Sequence, residues 1–255
     1  MPTQGLCNVS TNQSYRSCES TAVVTDFSHV QLVHSFQELA DTPFAGNINA
    51  MCWERTLPGD FAEIVSCLGS SHEPSMITLD PDSLRALSLS PAGDLARAGM
   101  LADFSLLSER GLAPVLNCIY AYPRDERLGS IVTDVFSFHV DSAPCETDTW
   151  LCTYHGVASE GLKNHHAQRL LDLPATHATL LAAYGGGDDD GFHEYLKENA
   201  YDLHYAALPE ARPYSFGVGN LWRIATAYPG CPVAPSIHRA PPTTSGDPPR
   251  LLLIS

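Results

Sequence analysis

The sequence predicts an α+β fold: a double-stranded β-helix, or jelly roll, with a helical N-terminal support and a helical insertion. Three observations carry this. Residues 60–110 repeat apolar side chains at helical spacing, and after residue 114 the chain turns into short β-rich stretches separated by Pro, Gly and Asp. One gap between those stretches is long. Short strands with wide insertions suit a jelly roll, whose open end can hold a ligand.

Residues 1–21, rich in Ser, Thr, Asn and Gln, read as a flexible tail. Residues 22–255 then form one domain, with 22–113 as the helical support and 114–255 as the β core. A strand is predicted over 48–53. Leu57-Pro58-Gly59-Asp60 opens a helix: Asp60 is an N-cap candidate, and Phe61, Ile64, Val65 and Leu68 fall at i, i+3, i+4 and i+7. A second helical region covers 81–110, interrupted near Pro91-Ala92-Gly93. Strands follow over 115–121, 131–140, 147–155, 214–227 and 250–254. The insertion spans 157–213, with helices expected near 163–171 and 190–200 and a Gly- and Asp-rich loop at 185–191.

Composition narrows the function. Fourteen basic residues stand against twenty-nine acidic ones, a net charge of −15, and no basic block interrupts the chain. Such a field repels phosphate backbones, so a nucleic-acid partner is not expected. No apolar run approaches the roughly 20 residues needed to span a bilayer, and residues 1–21 lack the basic start and apolar core of a secretion signal. The 8 cysteines include no C-x-x-C pair and read as reduced thiols. The expectation is a soluble, cytoplasmic protein acting on a small molecule.

Phe138-His139-Val140-Asp141 carries the chemistry. Residues two apart on a strand share a face, so His139 and Asp141 can aim at one ion while Val140 packs the other way. With His238 from a distant strand they make a 2-His-1-carboxylate set, which holds one face of Fe(II) and leaves the other positions open. H-x-D also arises by chance, and 11 histidines offer many partners. Arg250 tips the balance: it heads an apolar stretch, Arg250-Leu251-Leu252-Leu253-Ile254, and a charge there needs a partner. An ordinary ion pair or a bidentate bond to a ligand carboxylate would supply one.

These residues resemble the H-x-D…H…R signature of the Fe(II)/2-oxoglutarate-dependent oxygenases. Stretches 47–55, 138–141, 151–156, 238–242 and 250–253 are similar to a bacterial and fungal family of unassigned function within that superfamily. A fainter likeness is to fungal oxygenases that close an aziridine on L-valine. The resemblance implies Fe(II) on His139, Asp141 and His238, and Arg250 on the distal carboxylate of 2-oxoglutarate. Thr153 and Tyr154 are candidates for further co-substrate bonds, and alternation lets only one of them face the site. It further implies O2 as co-substrate, succinate and CO2 as products, and hydroxylation or ring closure at a substrate C–H bond, with a free amino acid as a candidate substrate. Two other readings use the same ligands: a non-catalytic metal-binding or metal-sensing barrel, and an iron dioxygenase independent of 2-oxoglutarate.

Candidates for substrate contact are Phe138, Trp150, Glu160, Trp222 and Arg239, with Phe136, Arg124, Arg127 and Arg223 behind them; core packing accounts for the aromatic residues equally well, and most surface arginines are simply solvated. His155, His165, His166, His177, His193 and His204 are surplus to the metal set. Asp188-Asp189-Asp190 lacks the spacing of a Ca2+ loop. No G-x-S-x-G or phosphate-binding glycine loop is present.

Overall fold

A computed structural model describes residues 28–69, 75–124, 131–244 and 246–255. The expected tail at 1–21 and Arg127 lie outside the described residues. Two sheets dominate. The first has seven strands in the spatial order β1 (Val30–Val33), β2 (Ala50–Trp53), β11 (Leu221–Ala225), β6 (Asp148–His155), β13 (Arg250–Ile254), β4 (Val115–Ile119) and β3 (Met76–Leu79). The second has six: β10 (Tyr214–Ser215), β7 (Glu160–Leu162), β12 (Ile237–Arg239), β5 (Phe138–His139), β9 (His204–Ala207) and β8 (Ala167–Arg169). Every pairing is antiparallel except that of β1 with β2.

Strand alternation sorts the large sheet into two faces. Met51, Leu116, Cys118, Trp150, Cys152, Tyr154, Leu221, Leu251 and Leu253 join a core with the helices. Ala50, Cys52, Ile119, Leu151, Trp222, Ile224 and Leu252 point the other way and pack with Tyr214 of the second sheet and with Phe216. The helices on the outer side are α1 (Phe36–Asp41), α2 (Phe61–Leu68), α3 (Pro81–Ala86) and α4 (Pro91–Glu109). Asp60 caps α2 by accepting from the Glu63 amide, and Ile64 and Val65 are its buried positions. The expected interruption of 81–110 falls at 87–90, before Pro91 rather than at it. The reason is that proline suits the first turn of a helix, where its missing N–H costs nothing. Among the described residues no helix is long and apolar enough to cross a membrane.

A buried ionic cluster ties α4 to the sheet. The Arg55 guanidinium forms a fork on the Asp103 carboxylate, with one arm at 2.7 Å, and donates from Nε to the Gly219 carbonyl at 2.8 Å. The Tyr154 hydroxyl donates to the same carboxylate at 2.7 Å. Asp103→Ala would leave Arg55 buried without its counter-ion, so it is expected to lower unfolding free energy by about 3–5 kcal/mol. A urea unfolding curve reads this directly.

Three expectations are corrected. The predicted strand 131–140 is a strand only at Phe138–His139, because Asp134 turns the chain: its side chain accepts from the Phe136 amide and its carbonyl from the Ser137 amide. The stretch 163–171 is not a helix but two 3-10 turns around β8. The stretch 157–213 contains helices α5 (Pro174–Tyr184) and α6 (Asp190–Glu198), yet it also supplies β7, β8 and β9 to the six-stranded sheet. It is therefore a builder of that sheet as well as a helical excursion.

Candidate metal centre

The second sheet brings its histidines together by register. His139 of β5 lies directly opposite His238 of β12, and on its other side opposite His204 of β9. Cross-strand partners share a face and approach closely, so the His139 and His238 rings have centroids 4.6 Å apart and the His139 and His204 rings 5.6 Å. Beyond His238 the row continues to Gly161. A side chain there would meet the Tyr214 ring at 2.3 Å, so only glycine lets that ring close over the row.

Two residues past His139, Asp141 returns to the same face. Its carbonyl accepts from the Ala227 amide at 2.8 Å, and its Oδ2 accepts from the Thr149 hydroxyl at 2.5 Å. Asp141 Oδ1 lies 4.0 Å from His139 Nε2, and Oδ2 lies 3.6 Å from His238 Nε2. Donor atoms sharing one ion at about 2.0–2.2 Å lie within about 4.4 Å of each other, so these separations fit a common ion. Both imidazoles are oriented for it. His139 Nδ1 donates to the Ser137 carbonyl at 2.8 Å and His238 Nδ1 to the Ser236 carbonyl at 3.3 Å, which leaves each Nε2 lone pair facing Asp141. Burial, then the neighbouring His238, hold the His139 pKa below its ordinary value, favouring the neutral ring a metal requires. Among the described residues His139, Asp141 and His238 are the one cluster able to hold a metal ion. A cavity of about 220 Å³ opens beside them, walled by Thr133, Ser142, Leu203 and His204.

On the facing sheet, Arg250 is 2% exposed. It donates to the Tyr122 hydroxyl, to Thr153 Oγ1 at 3.2 Å and to Ser159 Oγ at 3.0 Å, while its Nε is buried without an acceptor. Burial pushes the guanidinium pKa down, and Tyr122 is the group opposing that push. No carboxylate among the described residues bonds it. The half-buried arginines differ: Arg55 has Asp103, Arg97 has Asp94, Arg223 has Asp148 and Arg239 has Glu160. Gly156, at φ +81°, brings the end of β6 against the Arg250 backbone, where a side chain would meet the Pro249 carbonyl at 2.9 Å.

Alternation along β6 decides between Thr153 and Tyr154. Thr149, Leu151 and Thr153 face the second sheet, where Thr149 meets Asp141 and Thr153 meets Arg250. Tyr154 points to the helices, onto Asp103 and the Phe61 ring, and so is not a co-substrate contact. Trp150 faces the helices too, against Phe36. Phe138 lies on the outer face of the small sheet, under the Arg239 guanidinium at 4.3 Å, and Arg239 is bound to Glu160. These three sit one residue out of phase with the histidine row, which takes them off the metal face. Trp222 lies between the sheets, stacked on Phe216 at 4.3 Å with its indole N–H on the Phe216 carbonyl, and is core. Arg124 pairs with Asp134, and Arg223 holds the Leu39, Ala40 and Thr42 carbonyls at the C-terminal end of α1, so neither is a cation held for a substrate. The described cysteines are free thiols, and burial pushes that of Cys152 up to about 12. Asp189 caps α6, while His177 and His193 both face Asp188.

Comparison of the chain with family models, curated proteins and solved structures returns no match.

Proposed function

We propose that this protein is a non-haem Fe(II)/2-oxoglutarate-dependent oxygenase on a double-stranded β-helix, oxidising a C–H bond of a small molecule. The observation that carries the reading is Arg250: a buried guanidinium with hydroxyl partners and, among the described residues, no carboxylate, on the sheet facing a His-Asp-His cluster. A buried charge without a counter-ion is costly, and the distal carboxylate of a dicarboxylic co-substrate would supply one in bidentate geometry. Tyr122, Thr153 and Ser159 orient the fork for it.

His139, Asp141 and His238 would hold the iron, and two imidazoles with one carboxylate suit Fe(II) while leaving open positions. When bound, iron and 2-oxoglutarate supply oxidative chemistry with O2, yielding succinate and CO2. The chain's own part is positional. The Ser137 and Ser236 carbonyls fix the imidazole tautomers, Thr149 fixes the carboxylate, and the cavity beside His139 limits the substrate to a small molecule. A free amino acid such as valine is the first class to test by succinate release.

Anaerobic addition of 2-oxoglutarate to the Fe(II)-loaded protein tests the assignment. A saturable visible charge-transfer band is expected. Iron retained without any band would leave Arg250 structural and move the protein to a metal-binding barrel or a 2-oxoglutarate-independent dioxygenase.

A further inference from the structure

The last residue of β11 and the two that follow touch both arms of the candidate metal centre. The Ala225 carbonyl accepts from the Ser236 amide at 2.8 Å, and Ser236 is the residue whose own carbonyl orients His238 Nδ1. The Ala227 amide donates to the Asp141 carbonyl at 2.8 Å, and the Ala227 carbonyl accepts from the Ala143 amide at 2.9 Å. Three consecutive residues therefore tie the segment bearing Asp141 to the turn that delivers His238. His139 is set separately, by its pairing with His238 across β5 and β12.

Between the two anchors sits Thr226, 2% exposed. It follows Trp222 and Ile224 at two-residue spacing, on the face that looks to the second sheet. Among the described residues its hydroxyl has one partner, Thr149 Oγ1, at 3.2 Å. Thr149 already gives its proton to Asp141 Oδ2 at 2.5 Å. A hydroxyl carries one proton and two lone pairs, so the proton between the threonines comes from Thr226. The relay runs from Thr226 to Thr149 to Asp141, with every donor pointing toward the carboxylate. A lone Thr149 hydroxyl could rotate about its C–O bond. Accepting from Thr226 holds it in the one orientation that serves Asp141 and polarises it into a stronger donor.

We infer that Thr226 is a positioning residue of the metal centre: acting through Thr149, its hydroxyl holds the Asp141 carboxylate where it faces both imidazoles. Groups that orient a ligand in this way raise metal affinity without touching the ion. The inference rests on His139, Asp141 and His238 being ion ligands, and makes no use of Arg250 or 2-oxoglutarate.

The test is Co(II) binding to the full-length protein by competition with a chelating dye, read together with the visible Co(II) spectrum. Thr226→Val keeps the side-chain volume and removes the hydroxyl. It is expected to weaken Co(II) binding about fivefold, as loss of one neutral hydrogen bond implies, and to shift the visible bands. Thr226→Ser, which keeps the hydroxyl, should bind as the parent does. Adding Thr226→Val to Thr149→Val should weaken binding no further, because the relay is already cut. If Thr226→Val does not fold, Thr226→Ala serves the same comparison. Parental affinity in Thr226→Val, an equal loss in Thr226→Ser, or a further loss of that size in the double variant would overturn the role of Thr226 and leave the metal centre standing. A parent protein that binds no Co(II) would remove the metal centre and this inference together.

Discussion

Arg250→Met is expected to weaken 2-oxoglutarate binding about a hundredfold while Fe(II) stays bound. The magnitude follows from removing one partner of a buried, hydrogen-bonded charge pair, a loss of about 2–5 kcal/mol. Methionine fills the guanidinium stem without its charge, which separates binding from folding. Arg250 is 2% exposed and its bonded neighbours Tyr122, Thr153 and Ser159 are all neutral, so the free protein bears the desolvation cost. The variant should therefore melt no lower than the parent in the absence of co-substrate. Calorimetric titration with 2-oxoglutarate and a thermal melt check the two halves. Normal co-substrate affinity in Arg250→Met would sink the assignment, and a lowered melting temperature with normal affinity would make Arg250 a structural residue.

His139→Ala and Asp141→Ala should lose the metal outright. Supporting residues around a metal typically account for ten- to a hundredfold in affinity, and a ligand should exceed that. Thr149→Val, which removes the hydroxyl from Asp141 Oδ2, provides the comparison: it should retain metal with affinity about tenfold lower. Metal content after dialysis against a weak chelator distinguishes the three. Retention of stoichiometric metal by His139→Ala would refute the site, since His139 Nε2 faces both Asp141 and the His238 ring.

Local patterns in the chain carried local structure well. Asp60 followed by apolar residues at helical spacing marked α2, and the run from Arg250 to Ile254 is β13. The H-x-D pair with His238 identified three residues that the fold brings within reach of one ion. Long-range pairing was not legible. The partners of Arg250 other than Thr153 are Tyr122 and Ser159, which carry no spacing signal because they arrive from β4's exit and from the loop before β7. His204 joined the histidine row only through the pairing of β9 with β5. Helix α5 went unread because its apolar residues fall on all sides, leaving no period of 3.6, although Gly185 ends it in the left-handed conformation. The substrate contacts failed by parity: one position along a strand turns Phe138, Arg239 and Trp150 to the opposite face.

The pairing of β5 with β12 joins residues nearly a hundred positions apart, roughly the length of an ordinary small domain, and β13 enters between β6 and β4 from a similar distance. Such closures are slow, because chain entropy is spent before any contact rewards it. The three residues able to hold an ion therefore come together only once β5 and β12 have paired. Ion capture by them would report completed sheet assembly. An ion held there would in turn shift the folding equilibrium by mass action, binding the assembled sheet and not its separated halves.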